Sequence, residues 1–414
     1  MCRLSLLSVA LIIGGIGPES LVAQNWSRFR GENGSGISDL PGIPSTWKDD
    51  EYAWKIELPQ IGHSSPIVWE KTLFITSATE GGGERFVHCL DADSGRERWQ
   101  RSIQLNRSEK HQKNSWASST PTTDGNHVYV LFADDTRQLV IAWDFDGKEV
   151  WRRDAGAYES EHGLGASPIV HDGLLLIPND QVGPSSMIAL STMTGDVVWQ
   201  SERLPGTTSY STPMIVSNGQ AEDQIIYLSQ SNGITSLDPS TGKLNWKTAP
   251  LPSRTVASPI ESDGLIFATS GGGGTGKYLV ALQSDPAVSD ESRIVYERKT
   301  TLPYVPGMIA YNGMLFLWGD KGILVCLELL TGKEIWSHRI EGGFSGSPIC
   351  IENRIYCVTE SGEVVVIRAG NQLVELGRTP LHDDCHATPA VANGHLYLRT
   401  FRSLVAIKAR DVSP

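Results

Sequence analysis

Apolar residues in this chain come in short runs bounded by turn residues, and the arrangement recurs. One unit is a small polar residue, a proline, two or three apolar residues, a turn pair, then an apolar run. The first copies are HSSPIVWEKTLFITSA from His63, SSTPTTDGNHVYVLF from Ser118, GASPIVHDGLLLIPN from Gly165 and YSTPMIVSNG from Tyr210. VASPIESDGLIFATSG from Val256, YVPGMIAYNGMLFLWG from Tyr304, SGSPICIENRIYCVTESG from Ser345 and HATPAVANGHLYLRT from His386 follow. Runs this short, rich in Val, Ile, Leu, Tyr and Phe, read as strands. The anchoring prolines are Pro66, Pro121, Pro168, Pro213, Pro259, Pro306, Pro348 and Pro389, with spacings of 55, 47, 45, 46, 47, 42 and 41 residues. A period of roughly 40–50 residues is the size of one four-stranded propeller blade.

Each unit carries hairpin chemistry. Asp124-Gly125, Asp172-Gly173, Asp263-Gly264, Asn218-Gly219, Asn312-Gly313 and Asn393-Gly394 suit the positive φ angles of a type I′ turn. About 30 residues after most of the prolines comes Asp/Thr-x-Gly-x-x-x-Trp, ending at Trp99, Trp151, Trp199, Trp246 and Trp336. An aromatic at one fixed place per blade fills the gap that widens between neighbouring blades. Tyr296 holds that place in one degenerate copy, and LVELGRT near Leu376 offers no aromatic.

The two ends of the chain complement each other. The eighth unit stops near Lys408 after about three strands, while EYAWKIELP around Trp54 has the missing outer-strand pattern. The expected fold is therefore all-β: an eight-bladed propeller of four-stranded antiparallel blades, closed by an N-terminal strand around Trp54. Such closure removes an exposed sheet edge. The expected divisions are 1–24 as a signal peptide, 25–53 as an extension packed on the propeller, 54–410 as the propeller and 411–414 as a tail.

Composition narrows the function. A net charge of −12 and a pI near 5.3 argue against a nucleic-acid partner. Residues Leu4 to Ile16 form an apolar stretch behind Arg3, too short to span a bilayer, with small residues suited to cleavage near Asn25. The chain is thus expected to be exported, periplasmic or extracellular, and monomeric, with no transmembrane segment. Cys2 precedes the apolar stretch, so lipidation is not expected. Cys89, Cys326, Cys350 and Cys357 lie in apolar strand patterns and read as small buried hydrophobes.

The repeat ASP…DG(L/I)…(Y/V)ALD…TGK..W resembles the PQQ-like β-propeller family. The superfamily includes quinoprotein alcohol dehydrogenases and the BamB subunit of the outer-membrane assembly machine. The resemblance covers nearly all of residues 54–410. The opening W-x-x-F-R-G-x-N-G-x-G, Trp26 to Gly36, is similar to that of secreted bacterial members of the family. The quinoprotein branch implies pyrrolo-quinoline quinone (PQQ) with calcium, an adjacent-cysteine disulfide and an acidic calcium site. This chain has no Cys-Cys pair and no acidic cluster matching that site. No cofactor is expected on the main reading; PQQ with calcium belongs to the alternative.

Loops just before each proline enter the innermost strand and rim the central channel of a propeller. They supply His63, Trp116, Glu161, His162, Tyr210, Arg254, Tyr304, Phe344, Asp384 and His386. Such side chains converging on one funnel suit a polar ligand, a sugar or a protein partner. His63, His162 and His386 are candidates for a shared metal, set against an ordinary polar channel lining. Cys385 beside His386 raises a Cys–His nucleophile, although neighbours on a strand point to opposite faces. GGGGTGKY from Gly271 lacks the Ser or Thr of a phosphate loop and is followed by a strand pattern. Lys110, His111, Lys113 and Asn114 make a basic lip, read either as a solvated loop or as a contact for an anionic partner.

Two functions follow from these residues. One is a non-catalytic exported scaffold that binds an envelope or secreted protein or a small polar ligand, BamB-like in outer-membrane protein assembly. The alternative is a quinone- or metal-dependent oxidoreductase that uses the central funnel.

Overall fold

A computed structural model describes residues 24–217 and 222–410. Residues 1–23 of the proposed signal peptide, the 411–414 tail and the Asn218-Gly219 turn lie outside the described residues. Eight sheets follow one another along the chain, and their strands pair antiparallel in sequence order. Blade one is typical: Ile67–Trp69, Thr72–Ala78, Glu84–Asp91 and Glu97–Gln104. Helix is limited to three single 3₁₀ turns among the described residues.

The ring closes as the pattern predicts. Blade eight takes Ala390–Ala392, His395–Arg399 and Ser403–Lys408 from the C-terminal end, and Tyr52–Glu57 pairs antiparallel on the last of them as its outer strand. The hairpin chemistry also holds at most turns: Asp172-Gly173, Asp263-Gly264, Asn312-Gly313 and Asn393-Gly394 all have two positive φ angles. Asp124-Gly125 differs. Only Gly125 has positive φ, because the loop there is longer and the Asp124 carboxylate accepts from the N–H groups of Asn126 (2.9 Å) and His127 (2.8 Å).

The outer-strand aromatics tie each blade to the next. Trp54 Nε1 donates to Ala92 O (3.0 Å), Trp99 to Phe145 O (2.8 Å), Trp151 to Thr192 O (2.8 Å) and Trp199 to Pro239 O (2.8 Å). Tyr296 Oη donates to Leu329 O (2.9 Å) and Trp336 Nε1 to Gly370 O (3.0 Å). Trp246 departs from the rule: its Nε1 reaches Gln224 of its own blade (2.9 Å), and the Arg293 guanidinium of blade five lies 4.1 Å over its ring. The residue paired across from each aromatic is small: Cys89, Ala142, Ala189, Ser236, Ala281, Cys326 and Ala406. This is why two cysteines share one place in their repeats. At Trp54, Trp99, Trp151, Trp199 and Tyr296 the glycine of the next blade's turn lies against the ring; a Cβ at Gly195 would sit 2.6 Å from Trp151 Cδ2. Blade seven has Gly377 at the aromatic position, opposite Val366. Thr46 of the N-terminal extension occupies the space a side chain would need, with buried Trp47 beside it.

A second circuit explains the small polar residue before the proline. The backbone N–H of one blade donates to the hydroxyl of the next: Ser65 to Thr120 (3.0 Å), Thr120 to Ser167 (2.9 Å), Ser167 to Thr212 (3.2 Å), Thr212 to Ser258 (3.0 Å). Gly307 donates to Ser347 (2.9 Å), Ser347 to Thr388 (2.9 Å), and Thr388 back to Ser65 (3.2 Å). The circuit shows that Pro306 is not equivalent to the other prolines. Ile309 pairs with Phe316 as Ile67 pairs with Phe74, so Gly307 occupies the hydroxyl position and Pro306 lies two residues before the equivalent site.

Gly307 leaves room for Arg30 of the N-terminal extension, which donates to Met308 O. The extension crosses the channel end at the hairpin face. Trp26 bridges Val68 of blade one, Thr123 N donates to Ser27 O (3.0 Å) from blade two, and Arg28 Nη2 donates to Pro213 O (2.6 Å) of blade four. Asn33 pairs with the backbone of Ile215, and Ile37–Ser38 adds a parallel strand to Ile349–Ile351 of blade seven. The W-x-x-F-R-G-x-N-G-x-G segment therefore plugs one end of the ring.

Candidate functional site

Loops that enter the innermost strands and turns between second and third strands meet at the face opposite the plug. Between them lies a cavity of about 590 Å³ with Phe29 of the plug among its lining residues. Ser65, Thr212, Ser258, Ser347 and Thr388 of the hydroxyl circuit line it further in. The result is a blind funnel, open on one face only.

Two aromatic groups shape the mouth. On the blade eight and one side, His63 and His386 rings are 4.7 Å apart, with Phe401 at 4.8 Å from His63 and 5.0 Å from His386. Burial pushes the His63 imidazole well below the usual histidine range, and the charges of His386 and Arg399 add to this. His386 is lowered chiefly by burial as well. On the other side His111 and His162 are 5.0 Å apart, and His162 stacks on Tyr210 at 6.3 Å. Arg254 Nη1 lies 2.8 Å from His162 Nε2, and Arg254 also pairs with Glu161. Burial, then the charge of His162, lowers His111.

The loop carrying Lys113 leans over the opening. His111 N donates to His162 O (3.1 Å), Asn114 Nδ2 donates to His162 O (2.7 Å), and Lys113 Nζ reaches Glu360 of blade seven at 2.6 Å. Burial opposes ionisation of Glu360, but hydrogen bonds from Lys113 and Ser345 hold its carboxyl below the usual range. Burial raises Asp320, whose carboxylate accepts from Tyr304 N (2.7 Å) and Val305 N (3.1 Å).

His63, His162, Tyr210, Arg254, Tyr304 and His386 line the funnel. Glu161 reaches it only through Arg254. Three candidates lie elsewhere. Trp116 donates to Ser108 O (2.8 Å) and packs beneath the cations of Arg85, Arg107 and Lys110, at 5.8, 5.7 and 4.9 Å. Phe344 is buried edge-to-face with Trp318 at 5.5 Å, in the core between blades six and seven. Asp384 offers its carbonyl to Phe401 N (2.8 Å) and does not line the cavity. Asp320, Lys321, Glu360 and Phe401 escape a reading based on the prolines, because they sit on turns between second and third strands.

The three histidines do not converge: His162 faces Arg254 while His63 faces His386. Among the described residues, one group of three His, Cys, Asp or Glu ligand atoms falls within 4.8 Å, namely His171, Asp172 and Asp223, outside the funnel. Cys385 and His386 point apart. The thiol lies 3.0 Å from Arg399 O and burial pushes it up to about 12, while His386 Nδ1 faces Lys113 O at 3.2 Å. The glycine run from Gly271 is a hairpin connection between Leu265–Gly271 and Gly276–Gln283.

A family model described as outer membrane protein assembly factor BamB matches residues 83–298 and 298–411. BamB of Moranella endobia (strain PCIT) is 24% identical over 275 residues, which are 62% of this chain and 66% of that relative. The alignment thus spans slightly less than two thirds of the relative's length. The crystal structure of BamB from Moraxella catarrhalis has a TM-score of 0.63 at 15% identity, covering 88% of this chain and 98% of that one. A europium-containing methanol dehydrogenase gives 0.68 at 12% identity, covering 91% and 89%. Quinohemoprotein alcohol dehydrogenase from Comamonas testosteroni gives 0.66 at 15%, covering 94% and 82%. At these identities the structural likeness describes the fold.

Proposed function

Since the chain belongs to the outer membrane protein assembly factor BamB family, we propose that it is an exported, non-catalytic propeller that docks an envelope protein. The blind funnel is the observation that carries this reading. One channel end is filled by the chain's own Trp26–Gly36 segment, leaving a single open face to receive a side chain or loop of a partner. A cavity of this size, with aromatic walls and a few fixed polar groups, suits such an anchor. His63, His386, Tyr210, Arg254 and Tyr304 would make the contact, and Lys113 and Lys321 would rim it.

The donor set argues against the quinoprotein alternative. Calcium takes six to eight oxygen ligands, yet no three carboxylates or imidazoles converge in the funnel among the described residues. Cys89, Cys326, Cys350, Cys357 and Cys385 are free and buried, with no adjacent pair to face a quinone. Lys113 and Arg254, cations that a tricarboxylate would need, already pair with Glu360 and Glu161. These residues do not fit PQQ with calcium.

Affinity purification of the tagged chain from its native envelope tests the proposal. Wild type is expected to bring down outer-membrane protein assembly components, and Tyr210→Ala with Arg254→Ala to lose them. Equal recovery by wild type and the double variant would refute the funnel as the docking site.

A further inference from the structure

A set of side chains suited to a metal lies outside the funnel, where blade three meets blade four at the hairpin face. His171 ends the innermost strand of blade three, Ile169–His171, and Asp172 opens the turn that follows, with φ of +45°. The corresponding connection in blade four joins Met214–Val216 to Gln224–Ser229; it is longer, and its last residue is Asp223. The Asp223 carboxylate reaches back to the neighbouring blade. Its Oδ2 lies 3.2 Å from His171 Nε2, and Asp172 Oδ2 lies 3.5 Å from the same nitrogen.

Hydrogen bonding alone is a poor account of this arrangement. Nε2 carries at most one proton, yet two carboxylate oxygens share it. Among the described residues no lysine or arginine lies within ion-pair distance of either carboxylate, so two negative groups face one imidazole. The three ligand atoms all fall within 4.8 Å of one another. A tetrahedral ion with bonds of about 2.0–2.1 Å holds its ligands about 3.3 Å apart. Both distances from Nε2 match that spacing. The imidazole is 16% exposed and so fixed by packing, whereas the Asp172 side chain is exposed and free to turn inward. The site is therefore part built and part open, with an entry path from solvent.

We propose that His171, Asp172 and Asp223 bind a zinc ion, with water as the fourth ligand. One imidazole and two carboxylates make a mixed nitrogen–oxygen set that suits zinc, while calcium takes six to eight oxygens and magnesium prefers oxygen ligands and water. The bound ion ties the longer connection of blade four to blade three, and so staples two blades at the face opposite the funnel mouth. This site is separate from the docking face and does not depend on it.

Crystals of the untagged full chain grown with zinc chloride give the direct test. An anomalous peak at the zinc edge is expected about 2.0–2.1 Å from His171 Nε2. In solution, chain stripped with EDTA and dialysed against zinc should retain one ion that Asp223→Asn and His171→Gln both lose. Zinc at about a hundredfold its dissociation constant should raise the wild-type thermal midpoint on the order of 2–4 °C and leave the midpoint of Asp223→Asn unmoved. Excess calcium should not displace the ion. Equal zinc retention by wild type and Asp223→Asn would overturn the inference. So would displacement by calcium, or an anomalous peak at the funnel histidines with none at His171. If neither variant folds, the zinc position in wild-type crystals decides.

Discussion

Glycines at equal backbone strain but unequal surroundings isolate the force that holds neighbouring blades together. Gly195 and Gly173 both belong to blade three, with φ of +70° and +75°. Alanine at either position costs about 1–2 kcal/mol in the left-handed region. The two then diverge. A Cβ at Gly195 meets Trp151 Cδ2 and Cε3 of blade two at 2.6 Å, whereas nothing lies within 4 Å of one at Gly173. Forcing the Trp151 ring aside adds roughly 1–3 kcal/mol. Gly195→Ala should therefore cost about 2–5 kcal/mol in all, against about 1–2 for Gly173→Ala. Truncating the ring tests the same contact from the other side. Trp151→Ala loses about 3–5 kcal/mol, including its hydrogen bond to Thr192 O. In the double variant the collision is gone, so the combined loss should fall short of the sum by about 1–3 kcal/mol. Urea midpoints followed by tryptophan fluorescence, compared at unchanged slope and with coincident transitions by circular dichroism, report these differences. Equal midpoints for Gly195→Ala and Gly173→Ala, or strict additivity in the double variant, would refute the view that ring and turn glycine form one inter-blade joint.

Other expectations address the hydroxyl circuit, the thiols and the histidines. Thr388→Val leaves the buried Ser347 N–H without its acceptor and should cost about 1–3 kcal/mol, read as a lowered urea midpoint. The five described thiols are buried, with Cys89, Cys326, Cys350 and Cys385 pushed up to about 12. Native protein should resist a thiol-labelling reagent that modifies all five in denaturant. Burial lowers His63, His386 and His111 in the folded state. A base depressed on folding contributes its stability above the unfolded value, about 6.5, and loses it as pH falls. Midpoints should thus decline below about pH 6.5, and the decline should be shallower in His63→Phe; an unchanged slope would contradict the assignment of His63.

The ring is legible in the sequence because its joints are local and repeated. Trp99, Trp151 and Trp199 each need a small residue across the strand and a turn glycine in the next blade, and both recur at fixed spacing. Trp54 stands out for the same reason, since only a neighbouring blade accounts for an outer-strand pattern ahead of the first proline. Joints made by distant segments leave no such trace. Gly377 looks like a degenerate repeat until Thr46 and Trp47 are seen beside it, and Gly307 until Arg30 is seen behind it. The funnel divides similarly. Tyr210, Arg254 and His386 stand just before a proline and can be placed by counting. Asp320, Glu360 and Phe401 stand on turns whose composition is that of any exposed turn. Phe344 and Trp116 occupy entry loops, yet their rings turn into packing against Trp318 and beneath Arg85.

Site-specific photo-crosslinking puts the docking claim to its most direct test. A photoreactive residue at Lys321, on the funnel rim, is compared in the native envelope with one at Asp263, on a hairpin turn at the plugged face. The proposed scaffold predicts adducts with outer-membrane protein assembly components from Lys321 and none from Asp263. Adducts from Asp263 with a silent Lys321 would contradict the funnel as the docking face.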